Sequence, residues 1–323
     1  MHLHIQLMKG ADGSNEKKMN YAIIDMGSNT MRICVYRYED DKIIPVISKK
    51  EVAGLAGYIK DGLLESDGIN KACGTLNDFK HIASRFVREH EIRVFATASL
   101  RGIINQEQVL ETIRLQTGMY PEVLSGDEEA RLSFTGALRY SNCRDGIMID
   151  IGGASTELVV FRDGEPTRLA SIPIGCLSLY INHVSQVIPN HDERKQIKKE
   201  ICARFDKYID WVYTQQLPLM LGVGGTVRAV HKLSNEVFSK SGDDSYVKAE
   251  HVREILDMLK DNTSQIFLTI YRQIPERTHT ISTGLMILKE AIKRFQCESI
   301  YISKYGIREG YLIDRVLGVW GER

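Results

Sequence analysis

The 323 residues exceed what one ordinary hydrophobic core organises, and they fit two domains. Hydrophobic residues make up 43% and charged residues 26%, a composition that lets both halves be globular, and no apolar run approaches membrane-spanning length. Basic and acidic residues balance at 42 each, so overall charge gives no support for DNA binding and any anion site must be local. The six cysteines (Cys34, Cys73, Cys143, Cys176, Cys202 and Cys297) are scattered without a C-x-x-C pair. They read as reduced thiols of a cytoplasmic protein rather than as a disulfide frame or a zinc site.

Residues 1–19 lack the apolar core of a signal peptide and are expected to form a flexible extension. Residues 21–25, 31–38 and 43–52 read as three consecutive strands with turns at 27–29 and 39–41. Helical spacing of apolar residues over 69–90 predicts a helix, followed by a strand at 93–96 and the turn T-A-S-L-R at 97–101. A helix over 107–117, a strand over 122–124 and a helix from Asp127 to Arg139 complete the first half. The second half repeats this order. Strands are expected at 146–151, 156–161 and 168–174, a helical block at 192–215, a strand at 219–222 and the turn G-V-G-G-T at 222–226. Helices at 227–233, 251–261 and 283–294, a strand at 299–303 and a helix after Gly306 close the chain. Such a duplication predicts two α/β domains facing across a cleft. Their expected extents are 20–133 and 134–323, with the last helix packing back on the first domain.

The most informative motif occurs twice. Residues 21–30 read Y-A-I-I-D-M-G-S-N-T, and residues 147–157 read I-M-I-D-I-G-G-A-S-T-E. Each places an acid and a row of small residues at a hairpin tip. Asp25 and Asp150 could be Asx-turn caps. Their matching positions favour anchors for a divalent metal, which takes one or two carboxylates plus phosphate oxygens and water. Gly152, Gly153, Ala154 and Ser155, and likewise Gly224, Gly225 and Thr226, are small-residue turns where backbone N–H groups can approach a phosphate. Arg101 stands at the first-half cognate of the second turn, as either a surface arginine or a phosphate clamp. The string S-G-D-E-E over 125–129 reads as a capped helix start, and periodicity allows at most one of Glu128 and Glu129 to face the cleft. Cys176 reads as a buried thiol at the end of a strand.

The succession D-M-G-S-N-T, T-A-S-L-R, S-G-D-E-E-A-R, D-I-G-G-A-S-T-E, I-G-C, G-V-G-G-T and G-I-R-E-G resembles the exopolyphosphatase/guanosine pentaphosphate phosphatase family from Asn20 to the C-terminus. The resemblance implies an actin-like, ribonuclease-H-like α/β fold of two domains. It implies that Glu129 is the catalytic base and that Asp150 and Glu157 serve Mg²⁺ and the attacking water, to which the repeated motif adds Asp25 as a metal anchor. It also places Asn29, Arg101, Ser155, Cys176 and Arg277 at the phosphate, and the tip of the first motif adds Gly27 and Ser28. Ala154 stands where the family has a third glycine, and Arg277-Thr278-His279 replaces an Arg-Ala-Asp run. The chain ends soon after G-I-R-E-G and is expected to lack the extra C-terminal helical domains of longer members. The expected activity is Mg²⁺-assisted release of terminal phosphate from inorganic polyphosphate by a cytoplasmic homodimer that binds neither DNA nor membrane. The alternatives are guanosine pentaphosphate hydrolysis, a small-molecule kinase of the same fold, and a non-catalytic nucleotide sensor.

Overall fold

The computed structural model describes residues 19–211, 217, 219–238, 245–261 and 264–318. The proposed extension over 1–19 therefore lies almost wholly outside the described residues. Strands β1 (Met19–Met26), β2 (Thr30–Glu39) and β3 (Lys42–Val52) form an antiparallel meander. A small hairpin, β4 (Ile59–Lys60) and β5 (Leu63–Leu64), leads into α1 (Ser66–Ala83). Then follow β6 (Ile92–Ala96), α2 (Gln106–Thr117), β7 (Glu122–Val123) and α3 (Gly126–Arg139). The first sheet has the order β3-β2-β1-β6-β7, with β6 parallel to β1 and β7 parallel to β6.

The second half repeats the plan. β8 (Gly146–Ile151), β9 (Thr156–Arg162) and β10 (Glu165–Ile172) form the meander, followed by α4 (Cys176–His183) and α5 (His191–Tyr208). Next come β11 (Leu219–Val223), α6 (Gly224–Phe238), β12 (Tyr246–Lys248), α7 (Ala249–Lys260) and α8 (Ser264–Gln273). The chain continues through α9 (Ile281–Phe295), β13 (Ser299–Ile302) and α10 (Ile307–Tyr311). This sheet runs β10-β9-β8-β11-β13-β12, the same order with one antiparallel strand added beyond β13.

Two helices tie the halves together by crossing over. Ala130, Phe134 and Leu138 of α3 pack on Met148, Val159 and Phe161 of the second sheet. Tyr311 of α10 and the following Leu312 and Ile313 pack on Ile23, Tyr36 and Phe95 of the first. The two helices also touch each other along their backbones. A Cβ at Gly136 would collide with the Gly306 carbonyl oxygen, and one at Gly310 with the Leu132 carbonyl oxygen. Glycine is required here by close approach, since both positions lack positive φ.

Several sequence expectations change. The first helix stops at Ala83, because Ser84 to Val87 turn away and close short-range backbone bonds, Val87 N–H to the Ala83 carbonyl among them. The strand expected to reach 174 ends at Ile172, so Cys176 opens α4 rather than ending a strand. The expected turn at 224–226 is instead the first turn of α6. The helical block ends at Tyr208, and its expected continuation falls mainly on residues outside the described set. All six cysteines are free. Among the described residues no helix is long and apolar enough to cross a membrane.

Candidate active site

The two motif turns have the same construction. Gly27 N–H donates to the Thr30 carbonyl at 3.1 Å, and Gly152 N–H donates to the Ser155 carbonyl at 2.9 Å. The tips meet: a Cβ on Gly153 would lie 3.6 Å from Ser28 Cβ and 3.7 Å from Asn29 Cβ. Ala154, standing where a glycine was expected, needs none, because its φ is not positive. A third wall comes from α6. Gly224 has φ +84°, and a Cβ there would also strike Asp150 Oδ1, so two constraints demand glycine. A Cβ on Gly225 would strike the Arg277 guanidinium. The bare backbone brings the unpaired N–H groups of a helix start beside Asp150 and Arg277, an arrangement that suits an anion.

One cleft collects most of the expected residues. Asp25, Gly27, Ser28, Asn29, Glu129, Asp150, Gly152, Gly153, Ala154, Ser155, Cys176, Gly224, Gly225 and Arg277 all line it. Arg101, Glu157 and Thr226 stand behind its wall. Arg101 Nη1 donates to Glu129 Oε2 at 3.0 Å and to the Leu124 carbonyl at 3.2 Å. Thr226 donates to the Ile151 carbonyl at 2.8 Å and accepts from Arg277 Nη1 at 3.3 Å. Cys176 Sγ lies 3.8 Å from the same hydroxyl. Glu157 is only 1% exposed and faces Asp150 directly across the β8–β9 ladder.

Both readings of S-G-D-E-E hold, for different residues. Ser125 caps α3, its hydroxyl accepting from the Glu128 N–H, while Glu128 accepts from the Ser125 N–H and reaches Arg315. Glu129, one position on, turns into the cleft. Burial raises its proton affinity well above the usual carboxylate range, Glu157 adds to that, and Arg101 opposes it. Ser133 follows Glu129 by one helical turn, and its hydroxyl donates to Asp150 Oδ2 at 3.1 Å. One face of α3 thus holds one acid and orients another.

The acids differ in their partners. Asp25 was expected to anchor the metal, but its carboxylate is engaged by Arg308 Nη1 at 2.9 Å. Burial raises the pKa of Asp25 and Arg308 counteracts it. Asp150 is raised by burial too, opposed by Arg228 and Ser133. Glu157 is pushed to about 8 by burial and then by Asp150, although the Ser155 and Ser171 hydroxyls hold its charged form. Like charges set directly opposite on a ladder repel, and a cation between them relieves that repulsion.

Sequence reasoning missed four basic side chains of the cleft: Arg32, Lys50, Arg228 and Arg308. Arg32 was open to hairpin arithmetic, because closing the Gly27–Thr30 turn pairs Asp25 with Arg32. Lys50 was not: an irregularity at Val35/Tyr36 shifts β3 by one residue, so Arg32 faces Lys50 where the register beyond it would give Lys49. Arg308 belongs to G-I-R-E-G, and the fold explains that string. Gly310 admits α3, Gly306 lies against Val223 of β11, Arg308 reaches Asp25, and Glu309 accepts from the Tyr36 hydroxyl at 2.5 Å and from the Gly306 N–H at 2.8 Å.

Among the described residues no three acids, histidines or cysteines converge into a complete metal cage. The donor set still suits Mg²⁺, which typically binds through one or two carboxylates and completes its shell with water and phosphate oxygens. Asp150 lines the cleft and accepts from the Ser133 hydroxyl rather than from an arginine, and Glu157 stands behind it.

The family model described as the Ppx/GppA phosphatase family matches residues 34–318. The structure resembles the Aquifex aeolicus PPX-GPPA enzyme at 23% identity and TM-score 0.74, over 92% of this chain and 100% of that one. It also resembles an exopolyphosphatase from Cytophaga hutchinsonii at 21% identity and TM-score 0.80, over 93% of this chain and 99% of that one. At such identities the likeness is one of fold, and that fold is the two-domain, actin-like α/β architecture facing across a central cleft. The match across most of its length shows that the chain belongs to the Ppx/GppA phosphatase family.

Proposed function

We propose that this phosphatase is an exopolyphosphatase, releasing the terminal phosphate of inorganic polyphosphate by attack of water. The observation that carries the reading is Glu129: a buried carboxyl of raised proton affinity, fixed by Arg101 and aimed into a cleft walled by glycine-rich turns. A carboxylate of raised proton affinity is a stronger base toward the attacking water than an ordinary one. In the step, the water oxygen forms a bond to the terminal phosphorus as its proton passes to Glu129. The bridging P–O bond breaks, and the shortened chain leaves with the electron pair.

The N–H groups around Gly152–Ser155 and at the start of α6, together with Arg228 and Arg277, orient the phosphoryl oxygens. Asp150 and Glu157 would hold Mg²⁺, which when bound neutralises phosphate oxygens as charge moves to the leaving group. The described cleft lining carries basic side chains and no Phe, Tyr or Trp against which a guanine could stack, and this favours an inorganic chain over guanosine pentaphosphate. Glu129→Gln tests the role of the base. Turnover of polyphosphate should fall about 10²–10⁴-fold, with binding of tripolyphosphate by calorimetry unchanged. Turnover equal to that of the unaltered protein would remove Glu129 from the mechanism.

A further inference from the structure

Three cross-strand partners form a row across the first meander. Asp25 pairs with Arg32, and Arg32 pairs with Lys50, so the three share one face of β1, β2 and β3. Neighbouring strands lie about 4.8 Å apart, so the row runs roughly 10 Å from the cleft floor to the edge strand. All three line the cleft. At the outer end, Lys50 Nζ meets Glu276 Oε1 at 3.5 Å. Glu276 comes from the opposite half, in the short 3-10 turn Pro275–Arg277 beside the cleft-lining Arg277. The pair therefore joins the two walls at the mouth. Its side chains keep 28% and 42% of their exposure, so it is weak enough for a stronger anion to displace.

We propose that Lys50 and Glu276 form a charge gate that selects chains of phosphate over single phosphate. Glu276 masks Lys50 while the cleft is free. An orthophosphate reaching the floor never meets the gate. A chain whose first phosphate sits at the floor extends along Arg32 to Lys50, takes Lys50 from Glu276 and so gains a contact that a single phosphate lacks. The Glu276 carboxylate is held ionised: burial works against its charge, but its own backbone N–H, Lys50 and Arg277 outweigh burial and lower its pKa. The inference rests on the polyphosphate reading of the cleft, and it is tested by binding rather than turnover.

The experiment is calorimetric titration of orthophosphate and tripolyphosphate into the full chain with Mg²⁺, in the Glu129→Gln background. Adding Glu276→Gln should tighten tripolyphosphate about two- to fivefold and leave orthophosphate unchanged. Lys50→Ala should weaken tripolyphosphate alone and remove most of the gain from Glu276→Gln. Equal shifts for both anions, or none for tripolyphosphate, would overturn the gate. Unchanged melting temperatures of the variants show that binding, and not folding, has moved. Phosphate release by the unaltered chain is assayed separately, so a gate that holds without hydrolysis refutes the hydrolytic reading and not the gate.

Discussion

The two motif turns share the pattern Asp-x-Gly, a hydrogen-bond pattern and a place in a repeated sheet, yet their acids live differently. Asp25 is bonded to an arginine that arrives from the far end of the chain, whereas Asp150 is held by a neutral serine hydroxyl beside a glycine-rich helix start. Duplication supplied two equivalent carboxylates. The crossing of α3 and α10 then gave each a different neighbour, because α10 brings Arg308 to the first tip and α3 brings Ser133 to the second. We therefore propose that the first acid fastens the two halves and the second receives a cation.

The largest expected difference is between Asp150→Asn and Asp25→Asn. Asp150→Asn should lower Mg²⁺-dependent phosphate release by about 10²-fold or more at near-normal stability, a loss as large as or larger than that from disturbing the groups around a bound metal. Asp25→Asn should instead show itself in unfolding, costing about 2–4 kcal/mol because Arg308 loses its partner in a site still partly open to water. Swapped outcomes, read by denaturant unfolding and Mg²⁺ titration of both variants, would break the comparison.

The crossing that creates the difference can itself be attacked. Gly310→Ala forces a methyl group into the Leu132 carbonyl, and overpacking of this kind costs about 1–3 kcal/mol or more. Thermal unfolding should register it, and an unchanged melting temperature would show that the helices do not touch as described. Ser133→Ala should act more gently, raising the Mg²⁺ concentration needed for half-maximal binding about tenfold with the melting temperature retained.

A separate effect is one of pH. Glu157 faces Asp150 on β8, the Ser155 and Ser171 hydroxyls, and Arg101 and Glu129 beyond. Its pKa rises from 4.5 to about 8 on folding. Between those values the folded chain binds more protons than the unfolded one, so stability falls as pH rises through this window and levels off above about 8. Mg²⁺ should flatten the decline and release protons on binding near pH 7, which calorimetry in buffers of different ionisation enthalpy measures.

Much of this was legible in the sequence, because the duplicated strand–turn–strand units and their acids depend on local pattern. The first hairpin of each meander and the tips that meet in the cleft follow from runs of apolar residues ending in Asp-x-Gly. The missing parts are those that tertiary structure decides. The one-residue shift in β3 hid Lys50, eight residues gave α4 too little periodicity, and the partner of Asp25 lies 283 residues away. The adjacent Glu128 and Glu129 show the boundary best. Helix geometry says that they point apart, the family resemblance singles out Glu129, and the fold turns Glu129 into the cleft while Glu128 caps the helix.

The most direct test is Mg²⁺-dependent phosphate release by the purified chain from long-chain polyphosphate, guanosine pentaphosphate and ATP in parallel. The account predicts release from polyphosphate well above the other two, and its loss in Glu129→Gln. Release from the guanosine nucleotide alone, or from none of the three, would contradict it.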